Sequence, residues 1–446
     1  MPGPRITFLG GVREIGGNKI VIEDGPDRIL FDFGPSFSPQ FERFYVNFLA
    51  PRSTSPVKDL LEFDLLPRIE GLYSQEALYK SDLAYRPPEV HAVFVSHAHF
   101  DHAGHLELID PTIPVHVNEG TKTILEAIES SGNNGYGEHD WRIYRPGDVV
   151  KVGRIEVRPF PVDHSIPHAS GFLIRTSEGT IAYTGDFRAH GPRAQETLDF
   201  LAAAGAEKPE ALIIEGTRAG PDPRKNFTEQ GVREGVDGIL ESDHRLAIAS
   251  CYPRDVDRIT TLYRAAREAE RDLVISMKTA HLLRTLAPFL PKEAPQPGRS
   301  EGLSVYKRTK RVYYKWEKEF LDDSIDAEFV RRQGRRLLLQ LDLPHFAELI
   351  DIRPESGSPY IHSMSEPFSE DDVDDQVLHN WLDHFGLGFH QFHASGHCSG
   401  PELHQIGEEM RARTIFPIHT EHPEAFRSEH SKVVSPEKGI PLGLRP

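Results

Sequence analysis

The chain has 446 residues, 38% hydrophobic and 27% charged, which suits a globular protein of about two domains and excludes fibrous or disordered classes. A formal net charge of −17 argues against binding a polyanion over the whole surface, while leaving room for a local positive site. Two cysteines, Cys251 and Cys398, against 23 histidines give no disulfide framework, so a reducing cytoplasm is the expected compartment and any metal is held through nitrogen and oxygen. The opening "MPGPRITFLGG" lacks the apolar core of a signal peptide. No run approaches the roughly 18 apolar residues that span a bilayer, so no membrane association is expected.

In chain order, "RITFLGG", "KIVIEDG" and "RILFDFG" read as short strands bounded by Gly and Asp. From "FDFGPSFSPQF" to about Pro88, proline and serine punctuate what reads as a long surface excursion. "HAVFVSHAH" is a buried strand and "TKTILEAIESSG" a helix; "VVKVGRIEVRPFPV", "SGFLIRTSEG", "TIAYTGDF" and "ALIIEGT" are strands. Near residue 225 the rhythm changes. "TEQGVREGVDGILESD" and "RDVDRITTLYRAAREAERD" have helical spacing and alternate with "RLAIASCY" and "LVISM", which predicts βαβ units on a parallel sheet. "DQVLHNWLDHFG" is a helix closed by Gly386, and "FHQFHASGH" and "RTIFPIHTEHPE" are strands running into loops. Two basic stretches, "YKRTKRVYYKWEK" (306–318) and "RRQGRR" (331–336), and the acidic "SEDDVDD" (369–375) read first as solvated helix faces. The first of them also interleaves Tyr313, Tyr314 and Trp316 with lysines, a pattern suited to stacking on bases.

Chemistry concentrates in "SHAHFDHAGH" (96–105), where a strand ends in a loop bearing His97, His99, Asp101 and His102. Imidazole and carboxylate groups suit Zn²⁺ or Mn²⁺. Four ligands in six residues, with one His pair at i, i+2, do not close a single tetrahedral site. They fit two adjacent ions, His97 and His99 on one, Asp101 and His102 on the other. Three further strand ends, at His164, Asp186 and His419, supply the missing ligands, with Asp186 able to bridge.

The order H-x-H-x-D-H, His, Asp, His resembles the metallo-β-lactamase superfamily. That resemblance implies an α/β fold, the metallo-β-lactamase αβ/βα sandwich, holding two zinc ions per chain at its strand ends, with manganese as the alternative. It implies His97, His99 and His164 on one ion, Asp101, His102 and His419 on the other, and Asp186 between them. Asp32 in "FDFG" resembles the superfamily's first motif, a carboxylate that supports the ligand loops without binding metal. From Asp186 to His419 is 233 residues, against 62 from His102 to His164, which calls for an inserted domain and agrees with the change of rhythm. Such an insertion resembles the β-CASP domain of nucleic-acid-processing nucleases. "LIIEGTRAG" resembles the motif with an acid before Thr, here Glu215; "HASGHCSGPEL" resembles the next, with His397; "PIHTEH" gives the last, His419. "LGGVREIGGN" (9–18) and "HASGH" (393–397) narrow the resemblance to RNase J, over nearly the whole chain from Leu9 to about Glu424. The expected division is a metallo-β-lactamase domain at 1–212, a βαβ-type β-CASP domain at 213–388, and a closing part at 389–446. No long extension follows His419, so the separate C-terminal domain of many RNase J proteins is expected to be absent, and a homo-oligomer is not assured.

What the resemblance implies is hydrolysis of phosphodiester bonds in single-stranded RNA, as a 5′-to-3′ exonuclease with endonuclease action alongside. Asp101 would both ligate and orient the nucleophile. His397 is the candidate general acid for the leaving 3′-oxygen, with Glu215 beside it, since a nearby carboxylate favours the imidazolium. The plainer alternative for this pair is a structural hydrogen bond. Asp32 completes the catalytic candidates, and Ser395, Gly396, Ser399 and Arg254 are candidate phosphate contacts. Arg254 and Asp255 stand where the family usually has a Ser-Asn pair, and His168 stands where it usually has a small or acidic residue. A thioester or lactone hydrolase of the same superfamily, a DNA-acting β-CASP nuclease and a catalytically silent binding subunit are the alternatives. The long gap, Glu215 and "HASGH" count against the first, and a full set of ligands counts against the last.

Overall fold

The computed structural model describes residues 3–37, 43–45, 49–132, 135–221, 224–225, 227–292, 294–367 and 372–444. Apolar side chains at alternate positions fold the outer parts of the chain into two seven-stranded sheets. The first comprises β1 (Arg5–Gly10), β2 (Lys19–Asp24), β3 (Asp27–Phe31), β4 (Ala92–Phe94), β5 (Val115–Asn118), β6 (Trp141–Tyr144) and β21 (Pro441–Gly443), in the order β21-β1-β2-β3-β4-β5-β6. The second contains β7 (Val150–Val152), β8 (Ile155–Pro161), β9 (Ser170–Thr176), β10 (Gly179–Tyr183), β11 (Ala211–Glu215), β19 (Thr414–Ile418) and β20 (Lys432–Val433), in the order β20-β19-β11-β10-β9-β8-β7. Each sheet is antiparallel on one side and parallel on the other: β3 to β6 run parallel in the first, and β10, β11, β19 and β20 in the second.

The two sheets pack face to face. Ile6, Ile20, Ile29 and Phe94 of the first meet Val157, Ile174, Ile181 and Ile213 of the second in one buried cluster. Alternate residues point the other way. Leu173, Ala182, Leu212 and Ile415 pack with the helices Ala194–Ala206 and Gly400–Met410. The outer face of the first sheet, with Leu30 and Val93, is covered by the helix Glu119–Ser131 and by residues of the 56–109 stretch. Here the structure corrects the expected surface excursion: Leu60, Leu61, Leu66 and Leu72 are at most 3% exposed. Proline and serine punctuate the backbone there, but the leucines between them bury against the sheet.

A third sheet is wholly parallel: β12 (Ala247–Cys251), β13 (Asp272–Ser276), β14 (Leu303–Tyr306), β15 (Ser324–Ile325), β16 (Leu337–Gln340), β17 (Pro359–Ser363) and β18 (Gly388–Gln391), in the order β15-β14-β13-β16-β12-β17-β18. Its central strands are buried on both faces, as helices on both sides of a parallel sheet require. All of it lies in sequence between β11 and β19, which are hydrogen-bonded neighbours. The chain leaves the second sheet, builds the third, and returns beside its point of departure.

Capping explains the helix starts. Thr228, Asp255 and Ser276 each accept a first-turn backbone N–H, and Gly386 ends the helix Val373–Phe385 in a left-handed conformation (φ 64°). The basic stretch 306–318 is not a helix face. It is mostly loop, with the short helix Lys315–Lys318 at its end. "RRQGRR" closes the helix Ala327–Gln333 and continues as a 3₁₀ turn. Of the acidic stretch, residues 369–371 lie outside the described residues, and Asp372 caps Val373–Phe385. Among the described residues no helix is long and apolar enough to cross a membrane.

Candidate metal centre

The carboxyl ends of β4, β8, β10 and β19 deliver every proposed ligand to one place, and those of β3 and β11 bring Asp32 and Glu215 beside them. Two groups of ligand atoms result, each within 4.8 Å: His97, His99 and His164; and Asp101, His102, Asp186 and His419. In the first, His99 Nδ1 lies 3.0 Å from both His97 Nε2 and His164 Nε2. His164 Nδ1 donates to the Gly396 carbonyl at 2.6 Å, which fixes its tautomer and leaves Nε2 with a lone pair. One ring nitrogen cannot satisfy two such neighbours by hydrogen bonding, whereas a tetrahedral ion with Zn–N bonds near 2.0–2.1 Å sets its ligands about 3.3 Å apart. In the second group, His419 Nε2 is 3.0 Å from Asp101 Oδ2, and Asp186 Oδ2 is 3.2 Å from His102 Nε2, 3.4 Å from His419 Nε2 and 3.8 Å from His97 Nε2. Asp186 therefore faces both groups. His102 Nε2 and Asp186 Oδ1 are buried without a hydrogen-bond partner, a cost that a buried polar atom rarely bears unless a ligand meets it. The donor set fits a divalent-metal site.

Electrostatics separates the groups. Burial pushes the His97 and His164 imidazoles well below their usual range, and His99 down to about 4. His102 and His419 go the other way. Burial opposes their charge, but Asp186 and Asp101 outweigh it, holding His102 well above its usual range and His419 at about 9. Burial also opposes ionisation of Asp101 and Asp186, and the facing His102 and His419 overcome it, keeping both carboxyls well below the usual range.

Asp32 sits behind the second group. Its carboxylate accepts from Ser96 N at 2.7 Å, Ser96 Oγ at 2.9 Å and Tyr183 OH at 2.6 Å, and lies 2.9 Å from His102 Nδ1. This holds His102 with Nε2 toward Asp186, as a supporting carboxylate does. Asp32 has φ +55° and His419 φ +51°, each a left-handed conformation costing on the order of 1–3 kcal/mol for a non-glycine residue. Packing holds Asp32 there. Phe31, the residue before it, stacks among Phe94, Phe172 and Tyr183 at centroid distances of 5.0–5.7 Å. Gly34 allows the loop to close, because a Cβ there would come within 2.1 Å of the Asp101 carbonyl carbon. "LGGVREIGGN" braces the same residues: Gly11 O accepts from His419 N at 2.7 Å, Asn18 Nδ2 reaches Tyr183 OH at 3.1 Å, and buried Lys19 ties Gly17 O to Gly34 O.

His397 Nδ1 stands 3.1 Å from Glu215 Oε1. Glu215 is fully buried and its other oxygen accepts from Thr217 N, while His397 is partly exposed. His397 also shares with His164 and Asp186 a set of ligand atoms within 4.8 Å. The loop carrying it is gripped by its carbonyls: Arg258 Nη2 donates to Ala394 O (3.3 Å), and Arg188 Nη1 to Ser395 O (3.5 Å), which also lies 3.1 Å from His190 Nε2. Ser395 Oγ accepts from His397 N. Ser399 stands differently, since its N–H and hydroxyl both go to Glu402 at 2.7 Å, closing the helix Gly400–Met410 with a carboxylate. Ser399 is therefore the N-cap of that helix. Arg254, half-buried, forms no ion pair among the described residues, and its charge adds to the lowering of the His99 pKa. Residues that composition did not single out, Tyr183, Thr217 (2.9 Å from His419 Nδ1), Arg188 and Arg258, orient the ligands from behind. Tyr183 stands in the quoted "IAYTGDF", one strand end from Asp186, and its place beside a ligand loop is the only signal in the sequence.

Comparison with known proteins agrees with this geometry. Residues 27–236 match the β-lactamase superfamily domain. Ribonuclease J of Sinorhizobium meliloti is 26% identical over 97% of this chain and 71% of its own length. Ribonuclease J of Thermus thermophilus is 26% identical over 93% of this chain and 68% of its own. A crystal structure of a protein of unknown function from Enterococcus faecalis superposes with a TM-score of 0.81 at 27% identity, covering 98% of this chain and 99% of that one. The chain thus contains a β-lactamase superfamily domain and is similar to ribonuclease J proteins over nearly its whole length.

Proposed function

We propose that the protein is a metal-dependent ribonuclease that hydrolyses phosphodiester bonds of single-stranded RNA from the 5′ end. The observation that carries this reading is the pairing of two adjoining ligand groups with the His397–Glu215 pair at their open side. In this reading His97, His99 and His164 would hold one ion and Asp101, His102 and His419 the other, with Asp186, which faces both groups, available to either. Two Zn²⁺ per chain suit these nitrogen and oxygen donors, with Mn²⁺ next. A bound ion pair supplies Lewis acidity toward the phosphodiester and lowers the pKa of water. Asp101 orients the attacking group, and His397 donates a proton to the leaving 3′-oxygen while Glu215 holds its ring. Arg254, with the backbone at Ser395 and Gly396, receives the substrate phosphate. The domains divide as 1–212, 213–388 and 389–446, the protein acts in the cytoplasm, and a homo-oligomer is compatible with this reading.

Digestion of end-labelled single-stranded RNA bearing a 5′-monophosphate, 5′-triphosphate or 5′-hydroxyl tests it directly. Mononucleotides released from the 5′ end, fastest for the monophosphate, are expected. Release from the 3′ end, or circular RNA cut as fast as linear, would falsify the exonuclease direction. Turnover of a thioester and none of RNA would replace the ribonuclease with the small-molecule hydrolase. Metal analysis of protein purified without chelator should give about two ions per chain.

A further inference from the structure

The third sheet is wholly parallel, so the loops after its strands share one edge, where ligands of open parallel sheets gather. Along that edge stand Arg254 after β12, His345 after β16, Lys278 after β13 and Arg308 after β14, in this spatial order. Three strand spacings separate β12 from β14, about 14 Å. Arg254 marks the end beside the metal centre, since its charge bears on His99. Burial, and after it the charges of Arg308 and Lys278, push His345 down to about 4, so it is neutral. The positive charges along the row are Arg254, Lys278 and Arg308.

At its far end lies 307–318, with Lys307, Arg308, Lys310, Arg311, Lys315 and Lys318 against the single carboxylate of Glu317. Lys310 pairs with Glu317. The other five basic side chains form no ion pair among the described residues, and all but Lys307 are exposed. Tyr314 is 63% and Val312 74% exposed, and Lys310 Nζ lies 5.0 Å from the Tyr314 ring centroid. Trp316 behaves differently. It packs on His281, whose Nε2 lies 2.9 Å from Ser130 Oγ on the helix Glu119–Ser131. The segment is thereby anchored where the third-sheet unit meets the first sheet's covering helix. In a chain of net charge −17, five cations without an ion pair among the described residues surround an exposed tyrosine.

We propose that 307–318 is a docking platform for the 3′-ward part of a single-stranded RNA whose 5′ end lies at the metal centre. Arg308, Arg311 and Lys315 hold phosphates, and Tyr314 stacks on a base. The inference rests on the ribonuclease reading. It extends that reading to substrate length: a strand of a few nucleotides ends short of the platform, and a longer one reaches it.

The test compares a 20-nucleotide with a three-nucleotide RNA on the metal-loaded full chain. In the triple variant Arg308→Gln, Arg311→Gln, Lys315→Gln, the advantage of the longer RNA in kcat/KM should shrink about tenfold or more. The salt dependence of its binding should flatten by about 2 in log–log slope, at about 0.7 per phosphate contact. Tyr314→Ala should weaken binding of the longer RNA about tenfold, and Tyr314→Phe should restore it. A misfolded variant would lose both substrates alike, so the length ratio isolates docking. An unchanged ratio and slope in the triple variant, with wild-type protein cleaving RNA, overturns the platform alone. Wild-type protein that turns over a thioester and no RNA overturns the ribonuclease reading and the platform with it.

Discussion

The two halves of the metal centre differ in the charge they carry before any ion arrives. His97, His99 and His164 form a set of neutral imidazoles, each held below its usual pKa by burial. Asp101, Asp186, His102 and His419 form a set of two carboxylates and two imidazoliums, buried and close to neutral as a group. In that set, protons occupy the place that a divalent charge takes when metal binds. The first half is preformed for an ion; the second must exchange protons for one. The difference follows from one arrangement: the carboxylates come from loops that meet His102 and His419, while the nearest approach to His97 is Asp186 at 3.8 Å.

Removing ligands breaks the comparison most severely. Asp101→Ala and His102→Ala should each abolish hydrolysis and lower the metal content from about two ions to about one, because the histidine half keeps its own donors. Wild-type turnover in either variant, or loss of both ions, would mean the halves are not separate. Next comes His397→Ala. It should retain both ions and still bind RNA, yet lose roughly 10²–10⁴ in rate, the usual worth of a general acid, with Glu215→Gln a weaker copy. Should His397→Ala release metal, His397 is a ligand beside His164 and Asp186, as its place within 4.8 Å of them allows. Asp32→Asn and Tyr183→Phe act behind the second half only. They should weaken that ion about 10–100-fold, the typical cost of a lost supporting contact, and leave the histidine half unchanged in a two-site metal titration.

The clustering of these candidate ligands was legible because each stands just past a strand end, and four of them fall within six residues, "HAHFDH". The fold class was legible for a related reason: alternation of period 2 in "RITFLG" and helical spacing in "RITTLYRAARE" are local signals. What supports the ligands was not. Tyr183 reaches Asp32 across 151 positions and Thr217 reaches His419 across 202, so nothing near either residue announces the pairing. The stretch that runs to about Pro88 misled for the opposite reason. Its local signals, proline and serine, describe the backbone correctly but say nothing of which sheet face Leu60 and Leu72 cover. Ser399 stands in a glycine- and serine-rich turn, and its contact with Glu402, three residues on, closes a capping box that the S-x-x-E spacing already spells.

The contrast between the halves sharpens into a smaller, graded effect of pH. His419 has its folded pKa raised to about 9, and His102 is raised well above its usual value. Below pH 9 the metal-free second half therefore carries protons that an ion must displace. Its affinity should fall about tenfold per pH unit for each proton displaced, since one pKa unit corresponds to about 1.4 kcal/mol. His99, at about 4, and His97 and His164, which burial holds well below their usual range, are already neutral at pH 6. The first half should then bind with little pH dependence between 6 and 9. Calorimetric titration of metal-free protein with Zn²⁺ in buffers of different ionisation enthalpy counts the protons released at each step. About none at the tighter step and one to two at the weaker one is the expected pattern. Equal proton release at both steps would mean that the charge asymmetry of the empty centre does not govern how it loads. Asp32→Asn supplies the internal control. Taking a carboxylate from His102 Nδ1 should lower the proton count of the second step and leave the first untouched.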